Sequence, residues 1–384
     1  MSSVQGSRVD TNLLKTFRIE GGPRERGRAH GELLREPIQT LLEAWGDNLE
    51  RGYGVDRRRY LDLFFRCAPY ERTLGERAPN VLAEVDGIAE GAGVDRRALL
   101  AFQHVNEEFE WAPVFARMDC VGEACSTVAI AAAKDRPSII AQNLDLAQFL
   151  DGHQILLRGP CDNSDGEILA LSVPGMISLN GMNSFGFAVC DNSLTQLRAN
   201  PDGVPLFALY RLVLESRSLR QALALIEATP HAVGCNWVMG DPDGVAMIER
   251  SGWESQHYGP SRSGDIAFHT NHPLICRDWA PAFAPNSTTR PRPARSTYLR
   301  LASLHQRLQG LSAEALRIEA IKNILSARDD ADYPVSRGGG VNLEDQQIGF
   351  TLACNIFELR RGDPRWHIAS GPPHCTAFRE FGFD

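Results

Sequence analysis

The sequence predicts an α+β protein built in layers, and two changes of character along the chain carry this prediction. From Pro23 to Glu108, apolar residues recur at spacings of three and four, which is the period of an amphipathic helix. From Cys125 onward, short β-rich runs separated by turn residues come first, followed by helical segments and further strands. Because strands and helices come in blocks and not in strict βαβ alternation, a layered α+β fold is favoured over a doubly wound sheet.

The N-terminal part is predicted to be mostly helical. The runs "RERGRAHGELLREPIQTLLEAWGDNL" and "DRRRYLDLFFRCAPYERTL" place their apolar residues on one helical face. In the next run, the glycines of "EGAG" are suited to end one helix and Asp95 is suited to cap the following one. No obvious linker follows. We therefore expect the segments 1–124 and 125–384 to form one compact unit.

The remaining elements are short strands and four helices. Strands are predicted from "CSTVAIAAA", "PSIIAQNL", "HQILLRG", "EILALSV", "FGFAVC", "GCNWVMGD", "GVAMIERSG", "DIAFHTNH" and the tail "QIGFTLACNIFELRRGDPRWHIASG". Helices are predicted from "LFALYRLVLESR", "SLRQALALIEA", "ARSTYLRLASLHQRLQG" and "SAEALRIEAIKNILSAR". Strands spaced at this pitch indicate antiparallel sheets.

Composition excludes several classes of protein. The net charge is -8 and no basic block stands out, which argues against a nucleic-acid or anionic-membrane partner. The chain starts without a signal-peptide core, and no run reaches the roughly eighteen apolar residues of a membrane helix. Its nine cysteines are scattered without a CxxC pair, so we expect no metal, no cofactor and a reduced, cytoplasmic setting.

Cys125 is the candidate nucleophile. It stands where the helical pattern changes to strand, and the small residues "GEA" before it let backbone groups approach closely. Ser126 and Thr127 follow it with hydroxyl groups that can hydrogen-bond to a neighbouring chain terminus. A buried structural cysteine is the alternative interpretation for any single cysteine of this chain.

The stretches "EACSTVAI" and "IIAQNLDL" resemble the nucleophile region of the acyl-coenzyme A:6-aminopenicillanic acid acyltransferase family. These N-terminal-nucleophile enzymes have a Cys-x-Thr start and a Gln-Asn-x-Asp strand end, which Cys125, Thr127, Gln142, Asn143 and Asp145 match here. The stretches "EGGPRERGRAHGELL", "EVDGIAEGAGV", "HTNHPL" and "SGPPHCTAFREF" also fit, so the resemblance spans nearly the whole chain. It implies a four-layer αββα sandwich, with two antiparallel sheets face to face between layers of helices.

The resemblance also implies self-cleavage between Ala124 and Cys125. The family usually has Gly before the nucleophile, and alanine is also small. The thiol of Cys125 would attack the carbonyl of Ala124, and hydrolysis of the thioester would free a new amino terminus. This α-amine has an ordinary pKa of about 7.7–8.0, so it can act as the base for its own thiol without a histidine. The cleaved fragment 1–124 is then a partner of the chain 125–384.

Three further positions are candidates for the site. Asp145, at a strand end, can return beside the cysteine across a hairpin and orient the amine, and Asn271 can donate to an oxyanion. The family keeps an arginine at the start of the helix after the proline-rich loop, which we assign to Arg295, with Arg290 and Arg300 as rivals. The structural interpretations are turn formation by the first two side chains and a solvated helix surface for the arginines.

Four more polar side chains have weaker assignments. Asn180 or Asn183 can contact substrate, although turn formation explains both. Glu249 ends a strand and can meet a substrate amine, with a salt-bridged edge position as the simpler account. His272 is expected to support the turn of Asn271 and is not assigned as a base.

The predicted function is hydrolysis of a small linear amide through a thioester acyl-enzyme, the substrate being an N-acyl amine, N-acyl amino acid or β-alanyl-type amide. Acyl transfer to an amine is the alternative, but no signature of a coenzyme A phosphate site is present. The sequence is also compatible with a papain-like hydrolase that uses a distant histidine, and with an unprocessed binding protein on the same fold. A homo-oligomer is left open.

Overall fold

Two β-sheets form the centre of this computed structural model, which describes residues 14–105, 107–108, 125–260, 265–285, 295–312, 315–338 and 350–383. The first, sheet A, has its strands in the order β1 (Lys15–Arg18), β4 (Ile155–Pro160), β5 (Glu167–Ser172), β6 (Asn180–Asn183), β7 (Ala188–Ser193), β8 (Cys235–Asp241), β9 (Gly244–Arg250) and β10 (Ser255–Tyr258). The second, sheet B, has the order β11 (Ile266–His269), β2 (Ser126–Ile130), β3 (Ser138–Leu146), β12 (Phe350–Leu359), β13 (Arg365–Ala369) and β14 (Arg379–Phe381).

Neighbouring strands are antiparallel except for the pair β1 and β4. Strand β1 belongs to the N-terminal part, which was predicted to be mostly helical. It is four residues long, "KTFR", with three of the four exposed, so its sequence contains no clear period of two. The N-terminal part therefore supplies an edge strand to sheet A.

The described helices that follow β1 are α1 (Pro23–Leu33), α2 (Arg35–Tyr53), α3 (Arg57–Cys67), α4 (Tyr70–Arg77), α5 (Pro79–Ala92) and α6 (Arg96–Phe102). As predicted, the "EGAG" run ends α5, where Gly93 has a φ of 65°. Asp95 then caps α6 by accepting a hydrogen bond from the backbone N–H of Arg97. The local signals thus located the boundary between α5 and α6, whereas the breaks between α1 and α2 and between α3 and α4 lie inside runs that were predicted as single helical stretches.

Helices α1 and α5 pack backbone against backbone. The contact is made by Gly27 and Gly31 of α1 and by Gly87 and Gly91 of α5. A Cβ atom placed on Gly27 would lie 2.0 Å from the carbonyl oxygen of Glu84, so even alanine would force the helices apart. The glycines of "GRAHG" and "GIAEG" therefore allow the two helix backbones to come into direct contact, because glycine has no Cβ atom to hold them apart.

Helices cover the outer faces of both sheets, in addition to the N-terminal ones. Helices α7 (Leu206–Val213) and α8 (Leu219–Ala228) lie on sheet A, whereas α9 (Arg295–Leu308) and α10 (Ile318–Leu325) lie on sheet B. The larger apolar core includes the space between the sheets, and a smaller core of Val128, Ile139, Leu304 and Ile321 lies between sheet B and its helices. The predicted four-layer αββα sandwich is confirmed.

A buried charged cluster joins the N-terminal helices to sheet A and α7; its members are Arg26, Glu84, Asp162, Arg211 and Glu215. Arg26 lies 2.6 Å from Glu84 and 2.9 Å from Asp162. Arg211 lies 3.4 Å from Asp162 and pairs with Glu215. The charged cluster thus includes residues from both sides of the predicted cleavage point.

Among the described helices, none has both the length and the apolar character that a membrane span requires.

Candidate active site

The candidate site is built on the first residues of β2. Because side chains alternate faces along a strand, Cys125 and Thr127 point to one side and Ser126 to the other. Thr127 Oγ1 donates to Asn192 Oδ1 on β7 at 2.6 Å, so the face of the thiol is directed at sheet A. Ser126 Oγ accepts from Arg300 of α9 at 3.0 Å, on the opposite face. Cys125 is buried between these layers.

Arg300 connects the nucleophile's backbone to the turn that follows β11. Its Nη1 donates to the carbonyl oxygen of Cys125, and its Nη2 donates to Oδ1 of Asn271 at 3.0 Å. Burial lowers the pKa of this guanidinium to about 10, and the charge of Asp145 acts in the opposite direction. Arg300 therefore remains a cation at neutral pH and is the positive charge next to Cys125.

The structure brings Arg300 to the site and leaves Arg295, our assignment from the sequence, outside it. Arg295 is exposed at the first residue of α9. Five residues along a helix correspond to a rotation of about 140°, so the two arginines face different directions. Arg300 shares its buried face with Ser296 and Leu304, a spacing of four that the sequence contains. Arg290, the remaining rival, lies outside the described residues.

Asp145 lies near the end of β3, next to the end of β2 at which the chain enters. The pairing of Ser126 with Asn143 places Leu144 level with Cys125 and Asp145 one residue further out. The α-amino group of a chain that begins at Cys125 would lie at this end of β2. The sheet register thus brings the predicted carboxylate towards the predicted amine.

The carboxyl group of Asp145 is buried and only half satisfied. Its Oδ1 accepts from Thr351 Oγ1 at 2.6 Å, whereas Oδ2 has no hydrogen-bond partner among the described residues. Burial raises the pKa of Asp145 to about 7, against the opposing charges of Arg337 and Arg300. The group therefore titrates near neutral pH and retains one oxygen for a further donor.

Gln142 and Asn143, the remaining polar residues of the Gln-Asn-x-Asp run, have structural partners. Gln142 donates to the carbonyl oxygen of Asp191 at 2.7 Å and accepts from Asn180 at 2.7 Å, both on sheet A. Asn143 points to the opposite face. It donates to the carbonyl oxygen of Leu325, the last residue of α10, and to that of Val335, which lies two residues before Arg337. The run therefore joins sheet B to the layers on both sides.

Asn271 lies in the turn after β11, held on three sides. Its backbone N–H donates to Thr297 Oγ1 at 2.8 Å, and its Nδ2 donates to the carbonyl oxygen of Ser193 at 3.1 Å. Its Oδ1 accepts from Arg300. Since an amide nitrogen carries two hydrogens, Asn271 has one N–H beyond the bond to Ser193. His272 supports the same turn by a contact between Nδ1 and Thr297 Oγ1.

Glu249 holds the rest of this turn. Its fully buried carboxylate accepts from the backbone N–H groups of Leu274, Ile275 and Cys276 and contacts His269 Nε2 at 2.8 Å. Burial acts to raise the pKa of Glu249, but the hydrogen bonds from His269 and the backbone outweigh it and lower the pKa. Both oxygens are thus occupied. Glu249 is paired as the structural interpretation expected, but it does not lie at an edge, because β9 runs between β8 and β10.

Two asparagines that the sequence did not single out lie beside Thr127. Asn192 on β7 and Asn236 on β8 are opposite each other in the sheet, and Asn192 Oδ1 accepts from both Thr127 and Asn236, the latter at 2.9 Å. Asn192 Nδ2 and Asn236 Oδ1 are buried without partners in the part of the chain that the structure describes. Asparagine inside a β-rich run, as in "CDNS" and "CNWV", is unusual and is the signal that was available.

Of the predicted site residues, Cys125, Thr127, Asp145 and Asn271 are therefore brought together around the start of β2. Ala124 lies outside the described residues. Asn183 is structural, because its Nδ2 donates to two backbone carbonyls just beyond α7 and its Oδ1 accepts from the turn before β7.

A separate apolar groove of about 640 Å³ opens beside β11, lined by Tyr258, Phe268, Tyr298, Leu301 and His305 among others. Phe268 pairs with a residue of β2 that faces the helices, so the groove extends to the side of sheet B opposite the thiol. We do not assign it to the reaction.

The sequence is similar to a protein of Emericella nidulans, the acyl-coenzyme A:6-aminopenicillanic-acid-acyltransferase 40 kDa form. Identity is 26% over 257 residues, which cover 67% of this chain and 68% of the relative. Penicillin V acylase from Agrobacterium tumefaciens superposes with a TM-score of 0.39 and 13% identity, covering 67% of this chain and 86% of that one. A mutant of conjugated bile acid hydrolase from Clostridium perfringens gives 0.38 and 11%, covering 67% and 97%. At these low TM-scores, the assignment of the fold depends on the layers described above.

The sequence pattern of the acyl-coenzyme A:6-aminopenicillanic acid acyl-transferase family matches residues 132–368, more than half of the chain. The matched region contains Asp145, Asn271 and Arg300, whereas Cys125 precedes it by a few residues. The chain belongs to the acyl-coenzyme A:6-aminopenicillanic acid acyltransferase family.

Proposed function

We propose that this chain is a self-processing amidohydrolase in which Cys125, as a new amino terminus, is the nucleophile. The observation that carries the proposal is the arrangement around the start of β2. The thiol lies on the same strand face as Thr127, which donates to Asn192. The cysteine's carbonyl is held by Arg300, and Asp145 lies at the end where the chain enters.

Processing requires only the chain itself and water. The Cys125 thiol attacks the carbonyl carbon of Ala124, the peptide C–N bond breaks, and the amide nitrogen takes a proton to become the α-amine. Water then hydrolyses the thioester, which releases the carboxylate of Ala124 and regenerates the thiol. Arg300 lies on the strand face opposite the thiol and supports this step by donating a hydrogen bond to the carbonyl oxygen of Cys125.

In turnover, the α-amine takes the proton of the thiol, and the thiolate attacks the carbonyl of the substrate amide. The tetrahedral oxyanion needs donors, and the remaining N–H of Asn271 and the unpaired Nδ2 of Asn192 are both suited to this role. Losing one such donor typically costs about 2.7–4 kcal/mol of transition-state stabilisation. The leaving nitrogen takes the proton from the α-ammonium group, and water hydrolyses the thioester.

Asp145 is proposed to orient the α-ammonium group. Its unpaired Oδ2 is an acceptor at the correct end of β2, and its other oxygen is fixed by Thr351. A fixed carboxylate keeps the amine's lone pair directed at the thiol when the amine is neutral. Thr127 has a supporting role, because its hydroxyl orients Asn192.

We favour water as the acyl acceptor and a small N-acyl amine, N-acyl amino acid or β-alanyl-type amide as the substrate. Transfer of the acyl group to an amine is the second candidate, because this chain's family and its relative from Emericella nidulans are named for that reaction. A screen of such amides, with and without acyl-coenzyme A and an amine acceptor, separates the two. Acyl transfer that outruns hydrolysis by about tenfold would reverse our preference.

The processing claim is tested on a denaturing gel with N-terminal sequencing of the bands. We expect two fragments, the second beginning at Cys125, and a single uncut, inactive chain for Cys125→Ala. The control is Cys161→Ala, another buried cysteine that lies away from the site, which should be cut as the wild type is. An intact wild-type chain with amidase activity would instead favour a papain-like mechanism with a catalytic histidine.

A further inference from the structure

The turn that carries Asn271, residues 270–276, is held at both ends by one pair of side chains. At its start, ring Nδ1 of His269 contacts the carbonyl oxygen of Thr270 at 2.5 Å. At its end, the carboxylate of Glu249 accepts from three consecutive backbone N–H groups. The two side chains meet at 2.8 Å, Nε2 to Oε1, so together they form a clamp across the base of the turn.

His269 carries a hydrogen on both ring nitrogens in this arrangement. The carbonyl oxygen at Nδ1 can only accept, so Nδ1 is the donor of that bond. The carboxylate at Nε2 is ionised, because burial acts to raise the pKa of Glu249 but the hydrogen bonds from His269 and the backbone lower it. His269 is therefore an imidazolium, and it forms an ion pair with Glu249 in which both side chains are fully buried.

The clamp uses all of its hydrogen-bonding positions. Three backbone N–H groups and one imidazolium N–H occupy the carboxylate of Glu249, which offers about four acceptor positions. Loss of either ring proton of His269 would place a nitrogen lone pair against an oxygen lone pair in the interior. Because a buried charge without its partner is strongly destabilising, the turn would have to move to relieve the contact.

The clamp contacts the turn from a different side than the bonds of the Asn271 side chain and N–H do. Those bonds come from two residues of α9 and from Ser193 of β7, whereas Glu249 belongs to β9 and His269 to β11. The clamp therefore fixes the two ends of the turn, and the other bonds fix its middle. A misplacement of about 1 Å in a catalytic group can lower a rate about 10²-fold, so both sets of contacts matter for an oxyanion donor.

We propose that Glu249 and His269 are positioning residues for the reaction, which set the place of the Asn271 side chain that donates to the oxyanion. This inference rests on the proposed function, in which Asn271 is one of the oxyanion donors. Neither residue of the clamp touches the substrate. The clamp acts through Asn271 alone.

The test is a double-mutant cycle, with kcat and KM measured on the 4-nitroanilides of acetyl, phenylacetyl and β-alanyl. Glu249→Gln turns amide hydrogens towards donors that the carboxylate accepted, and it should lower kcat about 10²-fold with little change in KM. Asn271→Ala should lower kcat about 10²–10³-fold. In the Asn271→Ala background, Glu249→Gln should lower kcat by less than about threefold further, because the donor that it positions is already gone.

The matched control is Glu227→Gln. Glu227 forms the same kind of pair with His257 at 2.6 Å, but on the surface, where each side chain is about half exposed. Because exposed pairs contribute little, this variant should keep the wild-type kcat and KM. If the effects of Glu249→Gln and Asn271→Ala multiply, the clamp acts on something other than Asn271 and the inference is overturned. A Glu249→Gln enzyme with the kcat of wild type overturns it as well.

A measurement on the wild-type chain covers the case in which Glu249→Gln does not fold. In protein labelled with ¹⁵N-histidine, the ring of His269 can be assigned through its contact with the ring of Tyr258. It should show two N–H protons in the assay buffer, and a ring with one N–H would contradict the ion pair. In every one of these outcomes, a wild-type chain that is cut before Cys125 and hydrolyses the anilide leaves the proposed function standing. A chain that is neither cut nor active would contradict the proposed function, whereas the histidine spectrum would still report on the clamp.

Discussion

Two buried polar regions of this molecule differ in how their hydrogen-bonding groups are satisfied. In the charged cluster, each of the five side chains has an oppositely charged partner within 4.0 Å. Around the nucleophile, Asn192, Asn236 and Asp145 each retain a buried atom without a partner among the described residues. Arg26, Glu84 and Arg211 are buried like the site residues, so burial alone does not distinguish the two regions.

The difference separates groups that hold the fold from groups that await a ligand. A buried charge that lacks its partner is strongly destabilising, and the charged cluster avoids this by pairing charges across several elements. An unpaired atom next to a nucleophile has the same cost, but the substrate or the new amine can satisfy it during the reaction. The hydrogen-bond balance of a buried cluster is therefore a better guide to its role than its burial.

The largest expected effect comes from breaking the charged cluster. Arg26→Met leaves Glu84 and Asp162 without their closest cation and should lower the free energy of unfolding by about 3–5 kcal/mol, measured by urea denaturation. The folded fraction should retain its kcat, because Arg26 does not contact the site. The control is Arg24→Met on the same helix, whose exposed pair with Glu90 should contribute little. A stable Arg26→Met protein with impaired kcat would contradict the division drawn above.

Sequence reasoning predicted most of the helices and strands because their signals are local, whereas the four-layer arrangement followed from the family resemblance. Helix periods, the glycines after α5 and the cap at Asp95 act within a few residues, and the structure has them where expected. Strand β1 was missed, because its pairing with β4 depends on residues far along the chain. Topology of this kind has no local signature.

The candidate site divides in the same way. Cys125, Thr127 and Asp145 lie on two strands joined by a short hairpin, so the motif spacing places them together. The choice between Arg295 and Arg300 depended on which face of α9 packs against sheet B. The spacing of Ser296, Arg300 and Leu304 places Arg300 on the buried face, whereas the family resemblance led us to Arg295. Asn192 and Asn236 come from a sheet on the other side of the core. Only the packing of the two sheets brings them to Thr127.

Glu108 is an intermediate case between the two types of region, because this buried acid is paired with a neutral hydrogen-bond donor and not with a charge. Glu108 accepts a hydrogen bond from Trp45 Nε1, and burial raises its pKa to about 8. The folded state therefore keeps this proton up to about pH 8, whereas the unfolded chain loses it near pH 4.5. Stability from this group is fully present below pH 4.5 and is lost as the pH rises to 8.

Glu108→Gln keeps an acceptor for Trp45 and removes the ionisation. Between pH 5 and pH 8, its free energy of unfolding should fall less than that of wild type, by an amount on the order of 2 kcal/mol. The melting temperature should fall less over the same pH range. Some slope should remain, because burial also raises the pKa of Glu107 to about 8. Glu36→Gln, on the exposed face of α2, is the control and should leave the slope as in wild type. If stability falls equally with pH in Glu108→Gln and in wild type, a group other than Glu108 controls this pH dependence.

The smallest expected effect is a shift in pH dependence within the site itself. Asp145 has a pKa of about 7, raised by burial and lowered by the charges of Arg337 and Arg300. The thiol of Cys354, buried on β12, is a titratable group close enough to interact with this carboxylate. If ionised Asp145 orients the α-ammonium group, activity should decline as the pH falls through about 7.

Replacing Arg337 by Met removes the largest influence that lowers this pKa. The acidic limb of the kcat/KM profile should then move to higher pH by about one unit, and activity lost at pH 7 should return at pH 8.5. The fold change at high pH should be small, because Arg337 acts on Asp145 through its charge and through its backbone N–H, which donates to Thr351 Oγ1 and which the variant retains. Arg360→Met, an exposed arginine beyond the far end of β12, is the control and should leave the profile in place. A uniform loss of activity at every pH in Arg337→Met would mean that Arg337 shapes the site sterically. An unmoved profile would mean that Asp145 does not set the acidic limb.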